Sequence, residues 1–214
     1  MIRTFLAVEL SQELRAALAA LQQELKRTIE PEMKGVTRIS WVQPLSLHLT
    51  AKFLGDMDEQ MIDPLRVALE QTLGRHSAVD VPLERLGGFP RPHSPRVLWV
   101  GPSEAWERGT EAGRIAEIHG TIEQTCDDLG FLRETKPFSP HLTLARIRVG
   151  ERQVGVALAR SGVLDRPLAI GTLVMGSVAL MRSELKPTGS IYTKLWEVRL
   201  WGGQVSSLLA ERAR

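Results

Sequence analysis

Two stretches of this chain, Leu47-His48-Leu49-Thr50-Ala51 and Pro140-His141-Leu142-Thr143-Leu144, carry one pattern 93 residues apart. Each sets a histidine and a threonine two residues apart inside an apolar run. In a β-strand, side chains alternate between the two faces, so each His/Thr pair shares a face. A motif repeated in this way predicts two similar sheet-and-helix lobes, each lending one His/Thr strand to a shared groove.

The rest of the sequence agrees with that plan. Ile2 to Glu9 reads as a strand, and Ser11 caps a helix carrying Leu14, Ala17, Leu18, Leu21 and Leu25 at helical spacing. Thr28 to Thr37 is a loop, Arg38–Val42 and Leu45–Leu54 are strands joined near Pro44, and Glu59–Leu73 is a second helix with Pro64 near its start. Further on, Val79–Leu86 and Arg96–Val100 bracket a Gly- and Pro-rich loop and read as a hairpin. A helix over Glu111–Leu129 stops at Gly130, and the second motif lies in a strand over Phe138–Ile147. A short helix over Glu151–Ser161 precedes two long apolar strands, Leu168–Met181 and Tyr192–Leu200, joined through Lys186 to Gly189. The tail from Gly202 is expected to fray. Strands joined directly by loops predict an α+β fold with antiparallel or mixed sheets. No G-x-G-x-x-G or P-loop pattern supports a parallel nucleotide-binding sheet.

Composition excludes several function classes. A net charge of +2 over 214 residues is too small for bulk nucleic-acid binding, so any anion site must arise from local placement of charge. The single cysteine, Cys126, rules out an internal disulfide. The amino-terminal residues lack the layout of a signal peptide, and no apolar run nears the roughly 18 residues that span a bilayer. A cytoplasmic location is expected.

The His/Thr pattern alone is weak, and the chain contains its own control. His119-Gly120-Thr121 matches too, but it lies in a helical stretch where residues two apart project roughly 200° from each other. That pair cannot converge on a ligand. His48 and His141 lie in strand-like runs, each after a proline-containing segment. Two imidazoles facing one cleft can serve as general base and general acid, while the hydroxyls of Thr50 and Thr143 hold an anion. A zinc site needs three or four His, Cys or carboxylate ligands, and here only two histidines converge, so neither metal nor cofactor is expected. Lys52 shares parity with His48 on a regular strand and is a candidate for the same groove, or a solvated strand-end lysine. Arg146 has the opposite parity to His141 and reaches the groove only across a bulge. Phe5, Trp41, Phe53 and Trp99 read as strand core residues, one of which at the rim would stack a nucleobase. Lys136 and Lys186 are loop candidates for backbone contacts.

The two motifs, extended to Ser46 through Asp56 and Lys136 through Arg146, resemble the paired signatures of the 2H phosphoesterase superfamily. The RNA 2′,3′-cyclic phosphodiesterases, also called the 2′-5′ RNA ligase family, are the most similar members. Arg3 through Leu10, Gly87-Gly88-Phe89-Pro90, Arg96 through Trp99, and Ser183 through Pro187 with Tyr192 match the same family in order. The resemblance implies a single domain of two intertwined lobes, residues 1–214, with a pseudo-two-fold axis and a central cleft. It implies metal-free chemistry with His48 as proton donor and His141 as proton acceptor, assisted by Thr50 and Thr143. Arg146, Lys52 and Phe5 are the residues expected at the substrate. The implied substrates are RNA ends or nucleotides bearing a 2′,3′-cyclic phosphate, tRNA halves among them, opened to leave a 2′-phosphate. Ligation through a 2′-5′ bond and a non-catalytic RNA-end binding module are the alternatives. A monomer without an obligate protein partner is expected.

Overall fold

The computed structural model describes residues 1–33, 36–186 and 189–201. β1 (Ile2–Val8) buries all but one of its side chains, and Ser11 starts α1 (Gln12–Ile29) by accepting from the Leu14 amide at 3.2 Å. Leu14, Leu18, Leu21, Leu25 and Ile29 recur every three or four residues, which gives α1 one apolar stripe, and all five are buried. β2 (Arg38–Trp41), β3 (Leu49–Met57), α2 (Ile62–Leu73) and β4 (Val79–Pro82) follow. The hairpin β5 (Arg85–Phe89) and β6 (Val97–Gly101) leads through the short α3 (Glu104–Glu107) to α4 (Thr110–Asp128). β7 (Leu142–Val149), α5 (Glu151–Arg160), β8 (Thr172–Met175), β9 (Ser177–Lys186) and β10 (Gly189–Arg199) complete the described chain.

The expected α+β class is correct: among the described residues every strand pair is antiparallel. The main sheet runs β10-β9-β1-β3-β7-β6-β5, with β2 on the other side of β7. Its two arms, β10-β9-β1-β3 and β2-β7-β6-β5, meet through one residue pair, Leu49 and Leu142. Chain order does not separate the arms, because β2 joins the arm of β7 while β9 and β10 complete the arm of β1.

Several expected boundaries move. Leu45–Leu54 is not one strand: Pro44–Ser46 form a 3₁₀ turn, and β3 starts only at Leu49. Likewise β7 starts at Leu142, not Phe138, so each motif histidine stands one residue ahead of its strand. Val79–Leu86 splits between two sheets, since β4 pairs with β8 while β5 pairs with β6. The apolar run Leu168–Met181 breaks at Gly176 for the same reason, β8 serving the small sheet and β9 the large one. Unbroken hydrophobicity does not reveal which sheet a strand joins. Pro187, Thr188 and the tail from Gly202 lie outside the described residues. No described helix is long and apolar enough to cross a membrane.

Candidate active site

Leu49 and Leu142, the pair that joins the arms, are both buried in the core. Alternation therefore turns their neighbours His48, Thr50, His141 and Thr143 to the opposite face. Continued by one residue each way, the antiparallel register sets His48 across from Thr143 and Thr50 across from His141. The histidines are then diagonal neighbours, roughly 7–8 Å apart along the backbone. All four line one groove of about 520 Å³ and remain partly exposed to it.

Local structure orients each ring identically. His48 Nδ1 lies 2.8 Å from the Ser46 carbonyl, and His141 Nδ1 lies 2.7 Å from that of Ser139. A carbonyl oxygen only accepts, so Nδ1 carries the proton and Nε2 is left for the groove. The turn before His48 is braced by Arg15 of α1, whose Nη1 donates to the Leu45 carbonyl at 2.8 Å and that of Leu47 at 3.3 Å. Aromatic rings flank both imidazoles. Phe5 and Tyr192 stand 4.8 and 5.2 Å from His48, while Phe89 and Trp99 stand 5.0 and 6.2 Å from His141. Gly87 permits the second set, because a Cβ there would overlap Cζ2 of the Trp99 ring.

A bulge then reverses the parity of both motif strands. In β3 the register passes from Ala7–Thr50 to Leu6–Lys52, leaving Ala51 as the extra residue. In β7 it passes from Trp99–Thr143 to Leu98–Ala145, leaving Leu144 extra. Both bulges fall three residues after the histidine, and Gln22 Nε2 donates to the Leu144 carbonyl at 2.9 Å. The expectation for Lys52 is thereby overturned. It points away from the groove, its side chain is 1% exposed, and it pairs with Glu123 of α4 at 2.7 Å. Phe53 takes its place in the groove and is 61% exposed, so it is not the core residue its strand suggested. The same reversal brings Arg146 into the groove, together with Arg148. Phe5 lines the groove too, but at 3% exposure it backs the His48 ring. His119 stays outside, stacked on Phe138 at 4.2 Å.

The groove is electropositive. Among the described residues, Arg3, Arg146 and Arg148 line it with the two histidines, and no carboxylate does. Burial pushes both imidazoles below the ordinary range and outweighs the Nδ1 hydrogen bonds that oppose it. The Arg146 guanidinium lowers both further, and Arg15 adds to the effect at His48. Among the described residues, no three His, Cys, Asp or Glu side chains gather as metal ligands.

A family model described as the 2′-5′ RNA ligase superfamily matches residues 32–160, a span holding both motifs and the strands that carry them. The chain belongs to that superfamily. The RNA 2′,3′-cyclic phosphodiesterase of Thermus thermophilus is 35% identical over 209 residues, covering 94% of this chain and 91% of that protein. The protein of the same name from Methanothermobacter thermautotrophicus is 29% identical over 199 residues, covering 93% and 99%. The crystal structure of TT0787, also of Thermus thermophilus, superposes with a TM-score of 0.69 at 29% identity, covering 95% of this chain and all of that one.

In this member of the 2′-5′ RNA ligase superfamily, the groove holds the two His/Thr pairs, Arg146 and Phe5 singled out from the sequence, together with residues the sequence did not single out. Phe89 and Tyr192, matched only as part of the family likeness, flank the histidines. Arg3 and Arg148 line the groove unforeseen. Arg148 had a signal, for whatever bulge admits Arg146 also admits the residue two further on. Arg3 and Tyr192 had only the family likeness as a signal, since their strands meet the motif only by pairing through β1 and β9.

Proposed function

We propose that this chain hydrolyses RNA or nucleotide 2′,3′-cyclic phosphates to 2′-phosphomonoesters, by acid–base catalysis between two histidines. One observation supports this above all: at the Leu49–Leu142 pair, both His/Thr pairs turn to one face, whose groove Arg3, Arg146 and Arg148 also line. The name of the two relatives above agrees with it. We assign the chain to one working domain of intertwined lobes, because the two arms exchange strands across the sequence.

His141, neutral, takes a proton from water through Nε2 as the water oxygen bonds to phosphorus. The P–O3′ bond breaks opposite that attack, and Nε2–H of His48 gives its proton to the departing 3′ oxygen. Proton exchange with solvent resets both rings. Thr50 and Thr143 donate to the non-bridging oxygens, whose charge Arg146 balances as it grows. An in-line displacement needs its acid and base on opposite sides of phosphorus, as diagonal neighbours stand. An RNA hydroxyl replacing water would give 2′-5′ ligation, a second reading favoured by Arg148 on the His141 side of the groove.

The pH dependence follows from the shifts. Turnover needs His141 neutral and His48 protonated. His48 loses its proton at a pH below that of a free imidazole, so activity declines earlier on the alkaline side. His141 stays neutral further into acid. The profile of kcat/KM should be a bell with its maximum below pH about 6.5. A maximum above neutrality, or a flat profile between pH 5 and 8, contradicts the assignment. Hydrolysis of adenosine 2′,3′-cyclic phosphate, followed by phosphorus NMR, should persist in excess EDTA and yield the 2′-phosphate. Collapse of the rate in EDTA would restore a metal mechanism.

A further inference from the structure

His119, the histidine of the third His/Thr match, lies outside the groove, yet its ring meets both motif segments. The side chain is 13% exposed, and the ring lies flat on Phe138, with centroids 4.2 Å apart and planes 14° from parallel. The backbone of Ala51, the extra residue of the β3 bulge and the one after Thr50, stands against the same imidazole. His119 Nε2 lies 3.7 Å from Glu123 Oε1, one turn further along α4, and the other oxygen of that carboxylate holds Lys52 of β3. One ring thus reaches from the first motif strand to the segment that leads into the second. Among the described residues, the two arms of the sheet pair only at Leu49 and Leu142, so a second tie between them matters.

What this ring steadies is a carbonyl. Phe131 to His141 forms neither helix nor strand, so side chains fix its course. Phe138 is followed by Ser139, whose carbonyl stands 2.7 Å from His141 Nδ1 and sets that ring. Pro137 and Pro140 enclose the two residues and restrict the backbone between them, so a stop on the Phe138 ring passes to the next carbonyl with little slack. We propose that His119 is a positioning residue for the reaction: by holding Phe138 against β3, it keeps the Ser139 carbonyl on Nδ1 of His141 and leaves Nε2 free to take a proton from water. This role rests on the proposed function, through the task given to His141. His48 is independent of it, because the Ser46 carbonyl that sets its ring belongs to the turn braced by Arg15. Burial keeps the His119 imidazole below its ordinary range, outweighing the pull of Glu123, so the stack persists as an uncharged ring at neutral pH.

Imidazole nitrogen shifts, measured by NMR, report the tautomers of His48 and His141 directly. In the unaltered protein both neutral rings should carry the proton on Nδ1. In His119→Ala, His141 should pass to a mixture with the Nε2–H form while His48 stays unchanged. An Nε2–H ring offers water no lone pair, so kcat for adenosine 2′,3′-cyclic phosphate should fall roughly ten- to a hundredfold, with KM kept within about twofold. Phe138→Leu should cost about as much, and the double variant little more, since both changes remove one contact. His119→Phe keeps the stack and should restore the His141 tautomer and most of kcat. A His119→Ala protein with a lower Tm but with His141 still protonated on Nδ1 and kcat unchanged overturns the proposal, as do equal losses in the Ala and Phe variants. If the unaltered protein hydrolyses no cyclic phosphate, the proposed function fails, and the tautomer of His141 alone then decides whether His119 sets that ring.

Discussion

His141→Ala should lower kcat/KM for a 2′,3′-cyclic phosphate by about 10²–10⁴-fold, the usual share of one positioned general base. His48→Ala should do the same for the acid. The two losses have different signatures. Without His141, hydroxide can replace the missing base, so residual activity should climb with pH. Without His48, the leaving 3′ oxygen has no proton donor, and the residual rate should lose its alkaline decline. Both side chains are partly exposed, and each Nδ1 bond ends on a backbone carbonyl outside the strands, so the fold should survive either change. Unchanged circular dichroism and melting temperature are the control. Most of the activity remaining in His141→Ala would remove that residue from the chemistry.

The largest effect on stability should come from Lys52→Met. The Lys52 ammonium donates to Glu123 Oε2 at 2.7 Å and to the Leu132 carbonyl at 2.8 Å, and the same carboxylate oxygen accepts from the Glu134 amide at 3.0 Å. The two side chains are 1% and 9% exposed. Among the described residues Glu123 Oε1 has no hydrogen-bond partner, with His119 Nε2 at 3.7 Å, so the carboxylate already lacks part of the solvation it has in water. Removing its cation leaves a buried charge uncompensated, at a cost of about 3–5 kcal/mol. For a chain of this size that lowers Tm by roughly 6–20 °C. The pair as a whole contributes far less, because both ions were desolvated to form it. Lys52→Met combined with Glu123→Leu should therefore recover most of the loss. Thermal unfolding of both single variants and the double variant completes the cycle, and a Lys52→Met protein within about 1 kcal/mol of the parent would contradict it. The network also ties the segment leading to His141 to β3, through Leu132 and Glu134. The single variant should accordingly lose activity below its unfolding transition.

Much of the architecture was readable residue by residue. Ser11 marked the start of α1, and its leucines marked the buried face. Gly130, at a φ of +86°, ends α4 in the left-handed conformation that favours glycine. What could not be read was sheet membership. Val79–Leu86 and Leu168–Met181 each read as one strand, yet each serves two sheets, because hydrophobic patterning reports burial and not the partner. Lys52 failed for a related reason. Its parity with His48 holds on a regular strand, and one inserted residue at Ala51 exchanged it for Phe53.

The order of residues along the chain was enough to choose the family and the fold class: two His/Thr pairs, one α+β architecture, and a family likeness borne on both motifs. Those properties are local, since strand alternation and helix capping depend on neighbours a few positions away. Folding in three dimensions chose the surroundings: which arginines and aromatic rings face the groove, and which lysine is withdrawn from it. Those depend on how β3 and β7 pair with β1 and β6, where a bulge changes the face of the side chains that follow it.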